Sequence, residues 1–151
     1  MTKDLILEEF LPYRLAILSH SVSHSIASIY EKRFGVSIPE WRVIAIVGRF
    51  PDLSAVEVAE RTVMDKVAVS RAVTKLIKSG VIDRRFADAD RRRSILNLSP
   101  KGREVHDEIA PLALAMEADL MSDLTPQELE VLDAAINKLY AKAQGFAKAH
   151  E

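Results

Sequence analysis

The sequence predicts a mainly α-helical protein with a small β-hairpin. Helix breakers are rare, because the 151 residues contain only five glycines and six prolines, so we expect long helices joined by few turns. Apolar residues recur at spacings of three and four over most of the chain, which is the period of an amphipathic helix. The period changes only where segments 81–86 and 94–98 are strand-like and enclose a charged turn, the pattern of a hairpin.

The composition excludes several classes of protein. The length and an apolar fraction of 48% suit one globular domain with a core of its own. The absence of cysteine excludes disulfide frameworks and cysteine-based metal or redox sites. No apolar segment approaches the ~18 residues of a membrane span, and acidic residues stand near the N-terminus where a signal peptide is apolar. We therefore expect a soluble cytoplasmic protein that has no membrane partner.

The first two helices are predicted from apolar spacing and from residues typical of helix ends. The first helix should cover about residues 12–33, and Gly35 then suits the left-handed position that ends many helices. The second should begin near Pro39, with Ser37 before it as a capping residue, and end by Pro51.

A short helix, a tight turn and a longer helix come next. Ser54 and Glu57 match a capping box, in which each side chain satisfies a free backbone N–H of the other residue, and predict a helix over about 55–61. The segment at Asp65 opens a longer helix that ends near Gly80, where the hairpin begins.

Two further helices complete the chain. Ser99 and Pro100 open one of them, and Thr125 with Glu128 forms a second predicted capping box. The last helix carries an apolar stripe at spacings of three and four, formed by Leu129, Leu132, Ile136, Leu139, Ala143 and Phe146. Such a heptad-type stripe suits a partner helix, and packing within its own chain is the alternative.

The charge is distributed unevenly, although the whole chain carries only −1. The segment 61–93 contains ten basic and four acidic residues, a local charge of +6, so the remainder carries −7. This asymmetry favours a nucleic-acid surface, and a solvated charged face is the alternative. The order of elements supports the first interpretation, because two helices followed by a basic hairpin form a winged helix-turn-helix. Its second helix can enter the major groove and its hairpin tip can reach the minor groove.

The segment from the hairpin into the next helix contains Asp90, Arg92, Leu96, Leu98 and Gly102. These residues resemble the pattern of the MarR (multiple antibiotic resistance regulator) family of transcriptional regulators, which is Asp-x-Arg, three residues, Leu-x-Leu-Thr and a nearby Gly. A serine replaces the threonine, and either hydroxyl can cap a helix. The order of elements agrees with the family over about residues 11–148.

The resemblance implies a fold, an assembly and a function. It implies one MarR-type domain over 1–151, in which a winged helix-turn-helix DNA-binding lobe covers 37–98. Helices in 5–34 and 99–148 would form a dimerisation subdomain. The implied function is a homodimeric, sequence-specific DNA-binding regulator, expected to be a repressor that a small ligand releases from a pseudo-palindromic operator of double-stranded DNA. The half-sites would lie about one helical turn, or ~10 bp, apart.

DNA-contacting residues follow from position in this pattern. The outward faces near the start of the recognition helix carry Lys66, Val67, Ala68, Ser70 and Arg71. Among them we expect Arg71 and Ser70 to read bases, and we expect Lys75 to contact phosphate. At the wing we expect Arg92 in the minor groove, Asp90 as its supporting ion-pair partner, and Arg91 along the strand or at phosphate.

The effector ligand implied by the resemblance is small and often aromatic or anionic, for example an aryl acid or its thioester. Candidate residues on the first two helices are Tyr13, Arg14, His20, Ser23, His24 and Trp41. Among these, Arg14 has the fork geometry that binds a carboxylate through two hydrogen bonds. Polar groups of a helix surface or a dimer interface are the alternative interpretation of this set.

The sequence leaves two alternatives to a ligand-released repressor. His20 and His24 lie one helical turn apart, which is metal-ligand spacing, so a metal-responsive regulator is one alternative. A helical dimeric interaction module that binds no DNA is another, although it leaves the basic segment unexplained. No Gly-rich phosphate loop, nucleophile elbow or His-Glu-x-x-His motif is present, so neither an enzyme nor a cofactor is expected.

Overall fold

The computed structural model describes residues 3–87 and 90–150, and for residues 90–92 it describes only the backbone. The described chain is mainly helical and has one small sheet, which confirms the predicted fold class. Its elements in order are a 3-10 turn Leu7–Glu9, α1 Leu11–Phe34, α2 Ile38–Arg49, β1 Leu53–Ser54, α3 Ala55–Thr62, α4 Lys66–Lys78, β2 Ile82–Ala87, β3 Asp90–Leu98, α5 Pro100–Leu120 and α6 Pro126–Ala149. None of the described helices combines the length and the apolar character needed to cross a membrane.

The helix ends form where the sequence predicts them. Both predicted capping boxes are present, since Ser54 begins α3 with Glu57 and Thr125 begins α6. A third capping box begins α2, where the hydroxyl of Ser37 accepts a hydrogen bond from the backbone N–H of Glu40. Gly35 ends α1 in the left-handed conformation, with φ of 64°. These local hydrogen bonds explain why the predicted boundaries agree with the observed ones to within a few residues.

The sheet contains three antiparallel strands in the order β1-β3-β2. Strands β2 and β3 form the predicted hairpin, here called the wing, with Ile82 opposite Leu98 and Arg85 opposite Ile95. Strand β2 has the predicted length, whereas β3 is longer than predicted, because its backbone pairing continues into charged residues that carry no apolar alternation. Strand β1 was not predicted, since its two residues, Leu53 opposite Leu96 and Ser54 opposite Ile95, are too short to show a period.

The chain forms two compact units, Met1–Ala113 and Leu114–Glu151, and α5 runs through the boundary between them. The core of the first unit is apolar and is built from the second half of α1, from α2, α3, α4 and the sheet, and from the first part of α5. Its largest fully buried side chains include Ile44, Val58, Leu76, Ile82, Leu96 and Ile109. Helices α3 and α4 and the strands of the wing therefore all pack against the same core.

Residue Ser99 joins the wing to α5. It is buried, its hydroxyl donates to the carbonyl of Val81 (3.1 Å), and its oxygen accepts from the backbone N–H of Gly102 (3.0 Å). Ser99 therefore caps the start of α5, as predicted from the sequence. A Cβ on Gly102 would lie far inside van der Waals contact with the carbonyl of Val81, so the close approach of helix and strand requires glycine.

The second unit has almost no core of its own. None of the residues described in α6 is buried, and the predicted stripe exposes Leu132, Ile136, Leu139 and Phe146. A shallow apolar groove of about 460 Å³ lies along this unit, lined by residues that include Leu124, Val131 and Leu132. The apolar stripe of α6 is thus available to a partner.

Candidate nucleic-acid interface

Helices α3 and α4 form the helix-turn-helix, and both pack against α2. The carboxylate of Asp65 accepts a hydrogen bond from the backbone N–H of Ala68 (2.9 Å), which fixes the start of α4. The buried side of α4 carries Val69, Ala72, Val73 and Leu76. Because this stripe anchors α4 to the core, the opposite side of the helix is held outward in a defined orientation.

The outward face of α4 consists of Val67, Arg71, Thr74 and Lys78, which lie opposite the buried stripe at helical spacing and are all exposed. Beside this face the structure places three of the other predicted DNA contacts, Lys66, Ser70 and Lys75, as exposed residues, and it places Ala68 as half-buried. The predicted residues from 66 to 75 therefore lie on the outward face of α4 and on its two flanks, and all of them except Ala68 are exposed.

The turn between α3 and α4 contains an unusual backbone conformation. Val63 ends α3 in the left-handed region, with φ of 53° and ψ of 34°. A β-branched residue is rarely found there, because its Cβ crowds the following carbonyl. Its side chain is 86% exposed, so packing does not compensate for this strain.

Among the described side chains of the basic segment, three cations form ion pairs with acids from outside it. Lys75 Nζ lies 3.4 Å from Glu40 Oε2, and Glu40 is a buried carboxylate of the α2 capping box. The Lys75 side chain is still mostly exposed, so it also remains accessible to a phosphate. The local charge of +6 thus overstates the positive charge of this surface. The other two pairs lie at the base of the wing.

The first wing pair belongs to a cluster formed by Asp52, Arg85 and Asn97, here called the wing anchor. Asp52 Oδ1 accepts hydrogen bonds from Asn97 Nδ2 (2.9 Å) and Arg85 Nη2 (3.2 Å). The backbone N–H of Asp52 donates to Asn97 Oδ1 (3.0 Å), and Asp52 itself has a positive φ of 59°. The hydrogen bonds from Asn97 and then Arg85 lower the pKa of the Asp52 carboxyl. This cluster ties the turn before β1 to both wing strands.

The second wing pair connects β3 to α3. Arg93 Nη2 lies 3.3 Å from Glu57 Oε1, the same carboxylate that closes the α3 capping box with Ser54. Hydrogen bonds from Ser54 and then from Arg93 lower the pKa of Glu57. Arg93 therefore links β3 to the first turn of α3.

The wing tip lies outside the described side chains. Asp90, Arg91 and Arg92 belong to the start of β3, and their proposed contacts to DNA and to each other stay predictions. Sequence reasoning missed Arg84 on β2, which lines a cleft of about 230 Å³ together with Lys66 and Ser70. The cleft separates α3 and α4 from the wing. The sequence did not identify Arg84 because the pairing register of β2 is needed to tell which of Arg84 and Arg85 faces α4.

The residues predicted to bind a ligand lie on α1 and α2. The rings of His20 and His24 lie with centroids 4.1 Å apart and are tilted by 42° to each other, and Arg42 Nη2 lies 3.5 Å from Ser23 Oγ. Tyr13 and Arg14 are exposed near the start of α1. The residues described by the structure hold no group of three or more side chains that could bind a metal.

Trp41 belongs to an aromatic cluster that the sequence did not predict. Its ring lies 5.9 Å from that of Tyr30 and 5.9 Å from that of His106. Tyr30 is buried, and burial raises the pKa of its hydroxyl to about 12. The cluster joins α1, α2 and α5 within the first unit, so Trp41 has a packing role whether or not a ligand binds nearby.

Comparison with known proteins agrees with this geometry. A sequence profile of the MarR family matches residues 34–93, which include α2, the helix-turn-helix and the start of β3. Among curated proteins, the chain is 29% identical over 105 residues to the HTH-type transcriptional regulator BilQ of Clostridium symbiosum. That match covers 70% of this chain and 73% of BilQ.

Solved structures share the fold over almost the whole chain. A MarR-family transcriptional regulator from Silicibacter pomeroyi has 26% identity and a TM-score of 0.78, over 93% of this chain and 96% of the other. FabT of Streptococcus pneumoniae, solved in complex with DNA, has 22% identity and a TM-score of 0.75 over 93% of this chain and 99% of its own. At 22% identity, the similarity to FabT shows a shared fold alone.

Proposed function

We propose that the chain is a member of the MarR family of DNA-binding transcriptional regulators and a homodimeric repressor of a pseudo-palindromic operator. The family consists of regulators and not of enzymes. The observation that carries the proposal is the outward face of α4. Arg71 lies at its centre, held away from the core by a buried stripe on the other side of the helix.

The proposed contacts follow from the geometry of this face. An α-helix fits the major groove, where an arginine can donate two hydrogen bonds to guanine. We assign base reading to Arg71 and Ser70, and phosphate contact to Lys75, whose side chain is exposed although it pairs with Glu40. Arg92 keeps its proposed place in the minor groove and Asp90 its supporting role, on the strength of the sequence pattern.

The dimer is proposed from the exposed apolar surface of the helical elements. Exposed large side chains continue along α1 and α6, among them Leu11, Leu15, Leu18, Leu132, Ile136 and Leu139. Leaving so much apolar surface in water is unfavourable, and a second copy of the chain would bury it. Two copies would present two outward faces, as a pseudo-palindrome requires.

Release by a small ligand is proposed for the polar set on α1 and α2. Arg14 is an exposed cation suited to a carboxylate, and aromatic or imidazole side chains are available at Tyr13, His20, His24 and Trp41. A thermal-shift screen with aryl acids and their thioesters should find a stabilising compound, and that compound should lower operator affinity. Stabilisation without any loss of operator affinity would contradict the proposed release.

Two alternatives have less support. A metal-responsive regulator needs a third ligand beside His20 and His24, and the described residues form no such group. An interaction module would use the exposed stripe of α6 but would leave the outward face of α4 without a role. Neither alternative is proposed here.

The test of the proposed function is binding to an operator selected from randomised duplex DNA. Arg71→Ala should weaken binding by roughly 10- to 100-fold and relax the sequence preference, because one bidentate base contact is lost. Lys75→Ala should weaken binding similarly on all sequences and lower the slope of log affinity against log salt by about 1. Arg33→Ala removes an exposed charge outside the lobe and is the matched control. Failure of the wild-type protein to enrich any duplex at low salt would contradict the proposal.

A further inference from the structure

The described part of segment 36–99 exposes four large hydrophobic side chains, Val56, Val63, Val67 and Phe86. Three of them are valines of α3, of the turn and of the first turn of α4, and the fourth lies on the wing strand β2. The other large apolar side chains described in this segment are buried or partly buried. Exposed apolar groups are therefore concentrated on the elements that form the candidate interface.

Val67 has the most informative position among these residues. It is 59% exposed and lies one helical turn before Arg71 on the outward face of α4. The hydrogen bond between the carboxylate of Asp65 and the backbone of Ala68 fixes the first turn, and therefore the direction of the Val67 side chain. The first residues of a recognition helix are those that reach base edges in a helix-turn-helix.

A branched aliphatic side chain at this position has one apolar partner in the major groove. Among the four bases only thymine displays a methyl group there, whereas the remaining groups of the groove are donors and acceptors. Solvation does not explain a valine at the N-terminal end of an otherwise polar face, and neither does core packing, because its neighbours on the face are Arg71 and Thr74.

We propose that Val67 is a specificity-determining residue that recognises the C5-methyl group of a thymine beside the base read by Arg71. The proposal rests on the proposed function as a DNA-binding regulator. It adds the chemical feature that the operator must carry, namely a thymine methyl in each half-site within reach of the first turn of α4.

The test replaces single thymines of the selected operator by uracil, which removes the methyl group and leaves base pairing unchanged. We expect that uracil at one position of a half-site weakens binding of the wild-type protein by about four-fold, the factor for losing one methyl-sized apolar contact. The Val67→Ala variant should bind the thymine and uracil duplexes equally well. The control Val56→Ala removes an equally exposed valine from α3 and should keep the four-fold difference.

Each other outcome is decisive. The wild-type protein could bind the selected duplex tightly and lose no affinity when any of its thymines is replaced by uracil. In that case the proposal for Val67 is wrong, and the proposed DNA binding is unaffected. If Val67→Ala retains the full uracil penalty, a different residue contacts the methyl group and the assignment is overturned. If the wild-type protein enriches no duplex at all, the proposed function and this inference both fail.

Discussion

At the scale of single residues, Val63 has a strained backbone conformation that the packing of its own side chain does not offset. The turn of the helix-turn-helix requires a left-handed residue, and the chain uses an exposed valine with φ of 53° where glycine would be unstrained. A non-glycine residue in that region costs on the order of 1–3 kcal/mol. The position lies directly before α4, where a rigid turn limits the orientations of the recognition helix.

Replacement of Val63 by glycine should therefore stabilise the protein. We expect the free energy of unfolding to rise by about 1 kcal/mol, because the relief of strain exceeds the entropy that glycine adds to the unfolded chain. Thermal unfolding at a fixed protein concentration measures this change. Val56→Gly replaces an exposed valine with helical backbone in α3 and should lower the stability instead. Equal destabilisation by both substitutions would show that Val63 is not strained.

At the scale of elements, the wing is held at its base by charged side chains that contact other elements. The wing anchor connects Asp52 to both strands, and Arg93 connects β3 to α3 through Glu57. Exposed ion pairs add little stability one at a time, but these pairs also fix the angle of the wing relative to α4. Their role is positional, since they determine where the tip can meet DNA.

The wing anchor predicts a dependence of stability on pH. Lowered pKa values at Asp52 and Glu57 mean that their ionised forms stabilise the folded state. This stabilisation is present above the ordinary values of 3.8 and 4.5 and is lost as the pH falls below them, through the lower pKa values of the folded protein. The midpoint of thermal unfolding should thus fall less steeply between pH 5 and pH 3 in Asp52→Asn than in the wild-type protein. Asp83→Asn removes an exposed carboxylate from the same hairpin and should keep the wild-type slope.

The junction between the wing and α5 predicts a second effect at this scale. Gly102→Ala places a methyl group against the carbonyl of Val81 and should destabilise the protein by about 1–3 kcal/mol or more. Denaturant unfolding measures the loss. Gly145→Ala, in α6, meets no atom within 4 Å in the described chain and should be neutral or stabilising by up to about 1 kcal/mol. Equal stability of the two alanine variants would contradict the close contact between position 102 and the carbonyl of Val81.

At the scale of the whole molecule, the exposed apolar surface of the second unit is the feature that the proposed homodimer would cover. Leu114–Glu151 is shorter than the roughly 40 residues below which a chain seldom folds alone, and none of the residues described in α6 is buried. The apolar stripe of α6 is therefore the natural place to test the proposed homodimer. A charge on the stripe would have to be buried without a partner if two copies associate.

Ile136→Asp should increase the dissociation constant of the dimer by at least roughly 100-fold, because an unpaired carboxylate disfavours the apolar interface. Sedimentation or light scattering at micromolar concentration should detect monomers, and operator affinity should fall with them. Ala141→Asp introduces the same charge on the opposite face of α6 and should remain dimeric. A monomeric wild-type protein would contradict the proposed assembly.

Local sequence determined most of the fold. Capping residues such as Ser54 and Thr125 act within three positions, and helical spacing determines which side of α4 faces outward, so both were predictable. The two-residue strand β1 was not, since its strand conformation depends on pairing with β3. The α6 stripe was predictable as apolar and as suited to a partner helix, and its side chains are exposed on this chain.

The tertiary structure alone decided which charges are available at the candidate interface. Arg85 meets Asp52 across 33 positions of sequence and Arg93 meets Glu57 across 36, so a count of charges within segment 61–93 could not detect either pair. Such pairs form because the core brings distant segments together, so a local sequence pattern does not predict which residues pair. The sequence therefore determined the type of fold, its helices and the outward residues of α4. The packing of the core determined that Arg85 and Arg93 support the wing, because it brings their acidic partners within reach.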